Sequence, residues 1–517
     1  MKKLLNLLLI NILIFAPALE ANALDKKAAD EEKAREVEKA LFMAAGAQNR
    51  VLRIGLVDCI AYALKNNSEI LIKRIEPKLK QDDVRIAEAD FEPTFNAEYT
   101  IHDKNEVSSN VLQGAGVYNS QDTRLNADVS GKLVTGTEYK MEFLNQRYKS
   151  DSVYQVYNPY YTAEPKITIT QPLFKGFGIL VNKADITVAQ NNRLQSDASF
   201  KDTVMDTISK SKTAYYNYIY YLEAYAIARL SLERAQNLLE INKARYQKGL
   251  ISSVDLLETE AAAAQREKAV IAAETLMKKA EDDLKLITNL VDDPEVWNAK
   301  VELIDQPEFK VEEVDLLRSL QDAFQYRPDY YSAKIDLKNR DIKIAAAKNA
   351  ALPTVDLTGS FGLNGLGEDY QNALEKVNSD YTDWSVGVKF SVPWGSGDRA
   401  KYDQKKLEKA QALLSFKRLE QNIILEVRDK VRLVKAREQH VDVAKLSKQK
   451  ETENYEAQKE RYAAGQVSTH DMLDYQDKLA QSELDYVNAL IEYNIALINL
   501  DKSQGLTLVK NDIKLEE

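Results

Sequence analysis

Two periodicities divide this chain. Tyr218, Tyr225, Leu232, Leu239 and Tyr246 recur every seventh residue, with Tyr215 and Leu222 between them, inside a stretch from Leu180 to Lys248 that lacks proline and glycine. Heptad spacing of this kind predicts a coiled-coil seam, and a helix of ~70 residues would run about 100 Å at 1.5 Å per residue. A second such stripe, Ile424, Val427, Val431, Val434 and Val441, falls between Ala400 and Ala464. Met472, Leu479, Tyr486, Tyr493 and Leu500 continue it beyond a turn, and Leu256 to Leu290 is an Ala-rich counterpart suited to close packing. The expected class is mainly α, with long antiparallel coiled-coil helices over 178–248, 252–290, 398–464 and 468–503.

Short segments between the helices have period two. Phe95, Ala97, Tyr99 and Ile101 alternate with polar residues, as do Val355, Leu357, Gly359, Phe361 and Leu363. Trp384, Val386, Val388, Phe390 and Val392 behave likewise, as do Ile167, Ile169 and Leu173. Strands are therefore expected within 94–174 and 354–393, apolar on one side and wet on the other, the pattern of a transmembrane β-barrel. A half-buried sheet in a soluble protein gives the same alternation, but it does not account for strands spliced into helices of this length. Residues 124–147 predict an extra hairpin around Gly136, and strand parity permits either a place in the barrel or an extracellular extension. Asn105 to Asp122 and Gly365 to Asp380 read as external loops. Tyr154, Tyr157, Tyr160 and Tyr161 read as an interfacial girdle or as part of an external loop.

The chain also repeats itself. Ala244-Arg245-Tyr246-Gln247-Lys248-Gly249-Leu250-Ile251-Ser252-Ser253-Val254-Asp255 matches Glu460-Arg461-Tyr462-Ala463-Ala464-Gly465-Gln466-Val467-Ser468-Thr469-His470-Asp471. Each reads as a helix end, a left-handed glycine cap, a serine N-cap and an aspartate completing a capping box. Ala63, Ala87 and Pro93 match Ala323, Ala347 and Pro353 at one offset of 260. Pro172 and Pro393 mark strand ends before Gly176-Phe177-Gly178 and Gly395-Ser396-Gly397. An internal two-fold repeat follows: residues 51–290, then a linker at 291–317, then 318–505 and a tail at 506–517.

Lys2 and Lys3 precede an apolar stretch from Leu4 to Ala18 and a small-x-small site at Ala21-Asn22-Ala23, so residues 1–23 read as an export signal and 24–50 as a charged lead. No later segment is apolar enough for a membrane helix. The 517 residues carry a net charge of −10 with 70 basic and 80 acidic residues intermixed, so no basic face points to nucleic acid. Cys59 stands alone and reads as a buried free thiol. His102, His440 and His470 lie in different elements without partners at ligand spacing, and no nucleophile elbow or phosphate loop occurs. Neither an enzyme, nor a metal site, nor a cofactor is expected.

The tandem Arg-Tyr-x-x-Gly-x-x-Ser-x-x-Asp hairpins, the two Ala…Pro helix-to-strand joins and Gln171-Pro172-Leu173-Phe174-Lys175-Gly176-Phe177-Gly178 together resemble the TolC-like outer membrane efflux proteins, from about Leu52 to Leu508. The resemblance implies a homotrimer with a shared outer-membrane β-barrel and a shared periplasmic α-barrel tunnel, served by a periplasmic adaptor and an inner-membrane transporter. It implies a passive duct in an efflux or type I secretion system.

It also places a periplasmic gate at Asp471 and Asp474, with Asp255 and Tyr462 beside it, and adaptor docking at the tips Gly249, Leu250, Ser252, Gly465, Gln466 and Ser468. Asp255 and Asp471 equally suit plain capping, whereas Asp474, one turn on, has no capping duty. Where some members place a basic gate partner, this chain has Val467. The alternative function is a non-conducting, periplasm-spanning scaffold, for which a wet strand face would have no use.

Overall fold

The computed structural model describes residues 51–107, 117–152, 154–290, 299–392 and 394–515. The expected signal and lead lie outside them, as do Pro393, residues 108–116 of the first expected loop and residues 291–298 of the linker. Along the chain run β1 (Val51–Ile54), α1 (Leu56–Asn66), α2 (Ser68–Glu88), β2 (Thr94–Val107), β3 (Val117–Lys132), β4 (Glu138–Ser150), β5 (Tyr160–Pro172), α3 (Ala184–Gln247) and α4 (Ser253–Ile287). Then follow β6 (Lys300–Leu303), α5 (Leu316–Tyr326), α6 (Pro328–Ala350), β7 (Thr354–Leu363), β8 (Gly365–Gly367), α7 (Tyr370–Glu375), β9 (Thr382–Ser391), α8 (Gly397–Ala463), α9 (Thr469–Gln504) and α10 (Thr507–Lys510). Two compact units result, one from residues up to 72 with 202–327 and 423 onward, the other from 73–201 and 328–422. No helix among the described residues is long and apolar enough to cross a membrane.

The first unit is helical, with one small exception. β1 and β6 pair in parallel, Val51 opposite Lys300 through Ile54 opposite Leu303, where a helix and a linker were expected. Four-residue runs are too short to declare a period, and a parallel pair between distant segments leaves no local turn signal. The pair closes a core of Ile54, Cys59, Tyr215, Tyr218, Leu284, Val301 and Ile491. The Tyr218 hydroxyl donates to the Val301 carbonyl at 2.9 Å, and the Tyr215 hydroxyl to Asp305 at 3.1 Å. Burial first, and the charge of Asp58 second, push the Cys59 thiol up to about 12, so this sulfur is inert packing. α1 and α5 begin and end 260 residues apart, from Leu56 and Leu316 to Asn66 and Tyr326. Ala63 and Ala323 are fully buried in them.

The expected long helices are present: α3 has 64 residues and α8 has 67. On α8 and α9 the predicted stripe is buried at Val427, Val431, Val434, Val441, Met472, Leu479, Tyr493 and Leu500, with Ile423 replacing the more exposed Ile424. On α3 the distal seam is turned by one residue. Ser231, Ala235, Leu238 and Asn242 are buried, while Leu232 and Leu239 are half-buried and Tyr246 is exposed. Small and polar residues permit close helix approach, which hydrophobic spacing alone does not register.

The second unit carries one antiparallel sheet in the order β2-β3-β4-β5-β7-β9, with β8 paired beside β5. Strands β2 and β3 extend into the first expected loop, up to Val107 and from Val117. The second expected loop instead contains β8 and α7, with Gly365 and Gly367 so close to α7 that a Cβ would lie 2.0 Å and 2.5 Å from the backbone of Ala373. After β5 the chain turns through Gly176 and Gly178, both at positive φ.

Candidate functional site: the paired helical hairpins

The two repeated segments fold to the same cap. Gly249 has φ 72° and Gly465 φ 75°. Leu250 N–H donates to the Arg245 carbonyl and Gln466 N–H to the Arg461 carbonyl, each at 2.9 Å, the six-to-one bond of a Schellman ending. Ser252 and Ser468 then cap α4 and α9, accepting from the backbone N–H of Asp255 at 3.2 Å and of Asp471 at 3.1 Å. The serine hydroxyls donate back to Asp255 and Asp471 at 2.7 Å. These bonds hold the Asp255 carboxyl below its ordinary range. Nothing lies within 4 Å of a Cβ built on either glycine, and Leu250 is exposed.

A buried polar cluster behind the tips takes one residue from each of four helices. The Tyr462 hydroxyl on α8 donates to the Asn242 side-chain oxygen on α3 and lies 3.2 Å from the Thr469 hydroxyl on α9. The Asn242 amide reaches Thr469 at 3.3 Å and Thr259 of α4 at 3.5 Å. Arg245 crosses between the hairpins, donating to the Tyr462 carbonyl at 2.9 Å with its guanidinium 4.5 Å from the Tyr462 ring centroid. Two turns further in, buried Arg266 donates to Gln476 at 2.8 Å and Asp477 at 2.6 Å. Arg234 forms a two-pronged pair with Glu483 at 3.0 and 3.1 Å. Bidentate and half-buried pairs of this kind fix geometry better than exposed ones.

The structure thus brings Tyr462 to the hairpin interior, 5 % exposed, while its repeat counterpart Tyr246 is 44 % exposed. Asp255, Asp471 and Asp474 lie on the exposed side. Asp474 pairs with Lys478, its neighbour at i+4, at 2.7 Å. Glu258 of α4 and His470 of α9 meet at 2.7 Å. That bond, and then the charges of Glu258, Asp471 and Asp474, hold the imidazole above its ordinary range. Asn242 lies off the predicted heptad stripe and is buried beside Ser231 and Ala235 on the seam, so hydrophobic spacing gives no signal for it. Arg245 stands in the repeated Arg-Tyr motif, whereas Arg266 carries no sequence signal. Among the described residues no group of His, Cys, Asp and Glu is placed to hold a metal ion.

The chain thus combines paired helical hairpins with an antiparallel sheet. By its match to the outer membrane efflux protein family model, over residues 59–290 and 319–506, the chain belongs to that family. Solved structures agree on the fold. The CmeC outer membrane channel of Campylobacter jejuni is 17% identical over 87% of this chain and 86% of its own, with TM-score 0.65. VceC of Vibrio cholerae is 14% identical over 87% and 96%, with TM-score 0.63. The open-state MtrE channel of Neisseria gonorrhoeae is 18% identical over 87% and 89%, with TM-score 0.61. No curated protein matches the chain.

Proposed function

We propose that the protein is a homotrimeric outer-membrane duct, through which cargo passes from a periplasmic pump complex to the exterior, driven by an inner-membrane transporter and joined by an adaptor. The sheet carries this reading. Its apolar face stands in solvent, with Phe95, Tyr99, Trp384, Val386, Val388 and Phe390 each 64–70% exposed, and the outer edges of β2 and β9 pair with no strand among the described residues. Such a face needs a bilayer, and a bilayer forbids open edges, so copies must close the sheet. The opposite face is polar, which a non-conducting scaffold would not need.

In this reading the internal repeat supplies two hairpins per protomer, six around the trimer. The tips at Gly249, Leu250, Ser252, Gly465, Gln466 and Ser468 dock the adaptor. Asp471 and Asp474, with Asp255 near them, ring the periplasmic opening, and Tyr462 positions the hairpins from within rather than lining the passage. Purified protein in a planar bilayer is expected to conduct in discrete steps as a trimer. A bilayer-inserted protein without conductance would favour the scaffold.

A further inference from the structure

The β3–β4 hairpin is an integral part of the sheet. It lies between β2 and β5, with Phe95 opposite Val129, Val129 opposite Met141, and Met141 opposite Ile167. That row continues through Phe361 to Trp384. One apolar row therefore runs unbroken across six strands, and the hairpin's Leu125 and Met141 are as exposed as the flanking residues. The reverse face is equally continuous and polar. Lys140 lies 2.7 Å from Glu142 and 3.9 Å from Asp128, Asn96 of β2 donates to Asp128 at 3.0 Å, and Glu142 faces Lys166 of β5. At the helix-side end the hairpin turn is locked: a Cβ on Gly136 would lie 2.2 Å from the Gly176 carbonyl.

The register also has the slant of a closed barrel. Crossing the sheet from Thr94, where β2 leaves its helix, meets Ser130, Lys140, Thr168, Ser360 and Ser385. Ser385 stands six residues short of Ser391, where β9 ends near the start of α8. Six residues of stagger, about 20 Å, over five strand spacings, about 24 Å, incline the strands by roughly 40°, within the usual range for barrels. The edge strands β2 and β9 run in opposite directions, so β9 of one copy can pair antiparallel with β2 of the next.

Building on the trimeric reading, we propose that each protomer contributes six strands, and that three copies close an eighteen-stranded barrel along their β2 and β9 edges. Without the insert, four strands per copy would give twelve. At about 4.8 Å per strand and this tilt, the backbone ring is about 36 Å across, against about 24 Å for twelve strands. The hairpin then supplies a third of the wall, lipid-facing at Leu125 and Met141 and lumen-facing at Asp128 and Glu142.

The test uses full-length protein carrying one bimane-labelled cysteine, in vesicles of phosphatidylcholine with brominated acyl chains. Val388→Cys on β9 reports whether the sheet meets lipid at all. At Leu125→Cys and Met141→Cys, quenching is expected within two-fold of that at Val388→Cys. Asp128→Cys and Glu142→Cys should be unquenched and open to a water-soluble thiol reagent. Quenching at Val388→Cys but not in the hairpin overturns the eighteen-stranded barrel and leaves the duct intact. Absent quenching at Val388→Cys overturns both. Unsubstituted protein in nanodiscs gives an independent reading: end-on electron-microscope projections should show a ring of about 36 Å, and one of about 24 Å refutes the insert's place in the wall.

Discussion

The phenol of Tyr462 donates its proton to the side-chain oxygen of Asn242, 220 residues earlier in the chain. This bond joins α8 of one hairpin to α3 of the other, inside a core made by Leu238, Tyr455, Met472, Leu473 and Leu479. Tyr462→Phe keeps the ring and deletes the donor, leaving a buried acceptor short of a partner at a cost of about 1–3 kcal/mol. Faster amide exchange is expected across Glu460 to Gly465 with little change in the sheet. Unaltered exchange there would show that Arg245 and the other contacts between the hairpins hold the tips without this bond.

At the tips, backbone conformation is the only constraint on Gly465. Its φ of 75° disfavours a β-branched residue, and nothing surrounds it to clash. Gly465→Val is expected to cost about 1–2 kcal/mol locally and to lower export while trimers persist in the membrane. Gly465→Asn, which tolerates the left-handed region, should retain more export than Val. Normal export by Gly465→Val at normal protein levels would reduce the tip to a connector.

The proposed gate carries its own counter-charge. Asp471→Asn with Asp474→Asn should weaken block by divalent cations and lower cation selectivity in single-channel recordings. Because Lys478 pairs with Asp474 at 2.7 Å, Lys478→Gln should move both quantities the other way. Unchanged recordings in both variants would return these residues to capping and surface roles.

The His470 link gives the tips a pH dependence. Its pKa is raised chiefly by the bond to Glu258, so the charged pair stabilises the contact fully below the ordinary imidazole pKa of about 6.5. That contribution fades as pH rises through the higher folded value. Protease nicking at Gly249 to Ser252 and Gly465 to Ser468 is therefore expected to increase from acidic to mildly alkaline pH, and His470→Gln should flatten the profile. A profile unaffected by the substitution would assign the dependence to other groups.

Much of this was legible in advance because it is local. The caps at Gly249 and Gly465 need a left-handed residue followed by a serine, and Arg-Tyr-x-x-Gly-x-x-Ser states that outright. Helices α8 and α9 display their buried stripes at heptad spacing, since each buries one continuous face. The strand alternation likewise reports each strand's two environments. Less legible was α3, whose seam near the tips uses Ser231, Ala235 and Asn242, residues that hydrophobic counting discards.

By itself the sequence determined the long helices, the alternating strands and where each helical hairpin turns, because propensity, period and capping act within a few residues. Only the tertiary structure decided that β1 pairs with β6, that Asn242 meets Tyr462, and that the β3–β4 hairpin stands between β2 and β5 in the sheet. Those are choices of register and partner between distant segments. Alternation tells a strand which face to bury and leaves its neighbour unspecified; the neighbour is fixed when backbone hydrogen bonds and side-chain packing are satisfied together across the whole sheet.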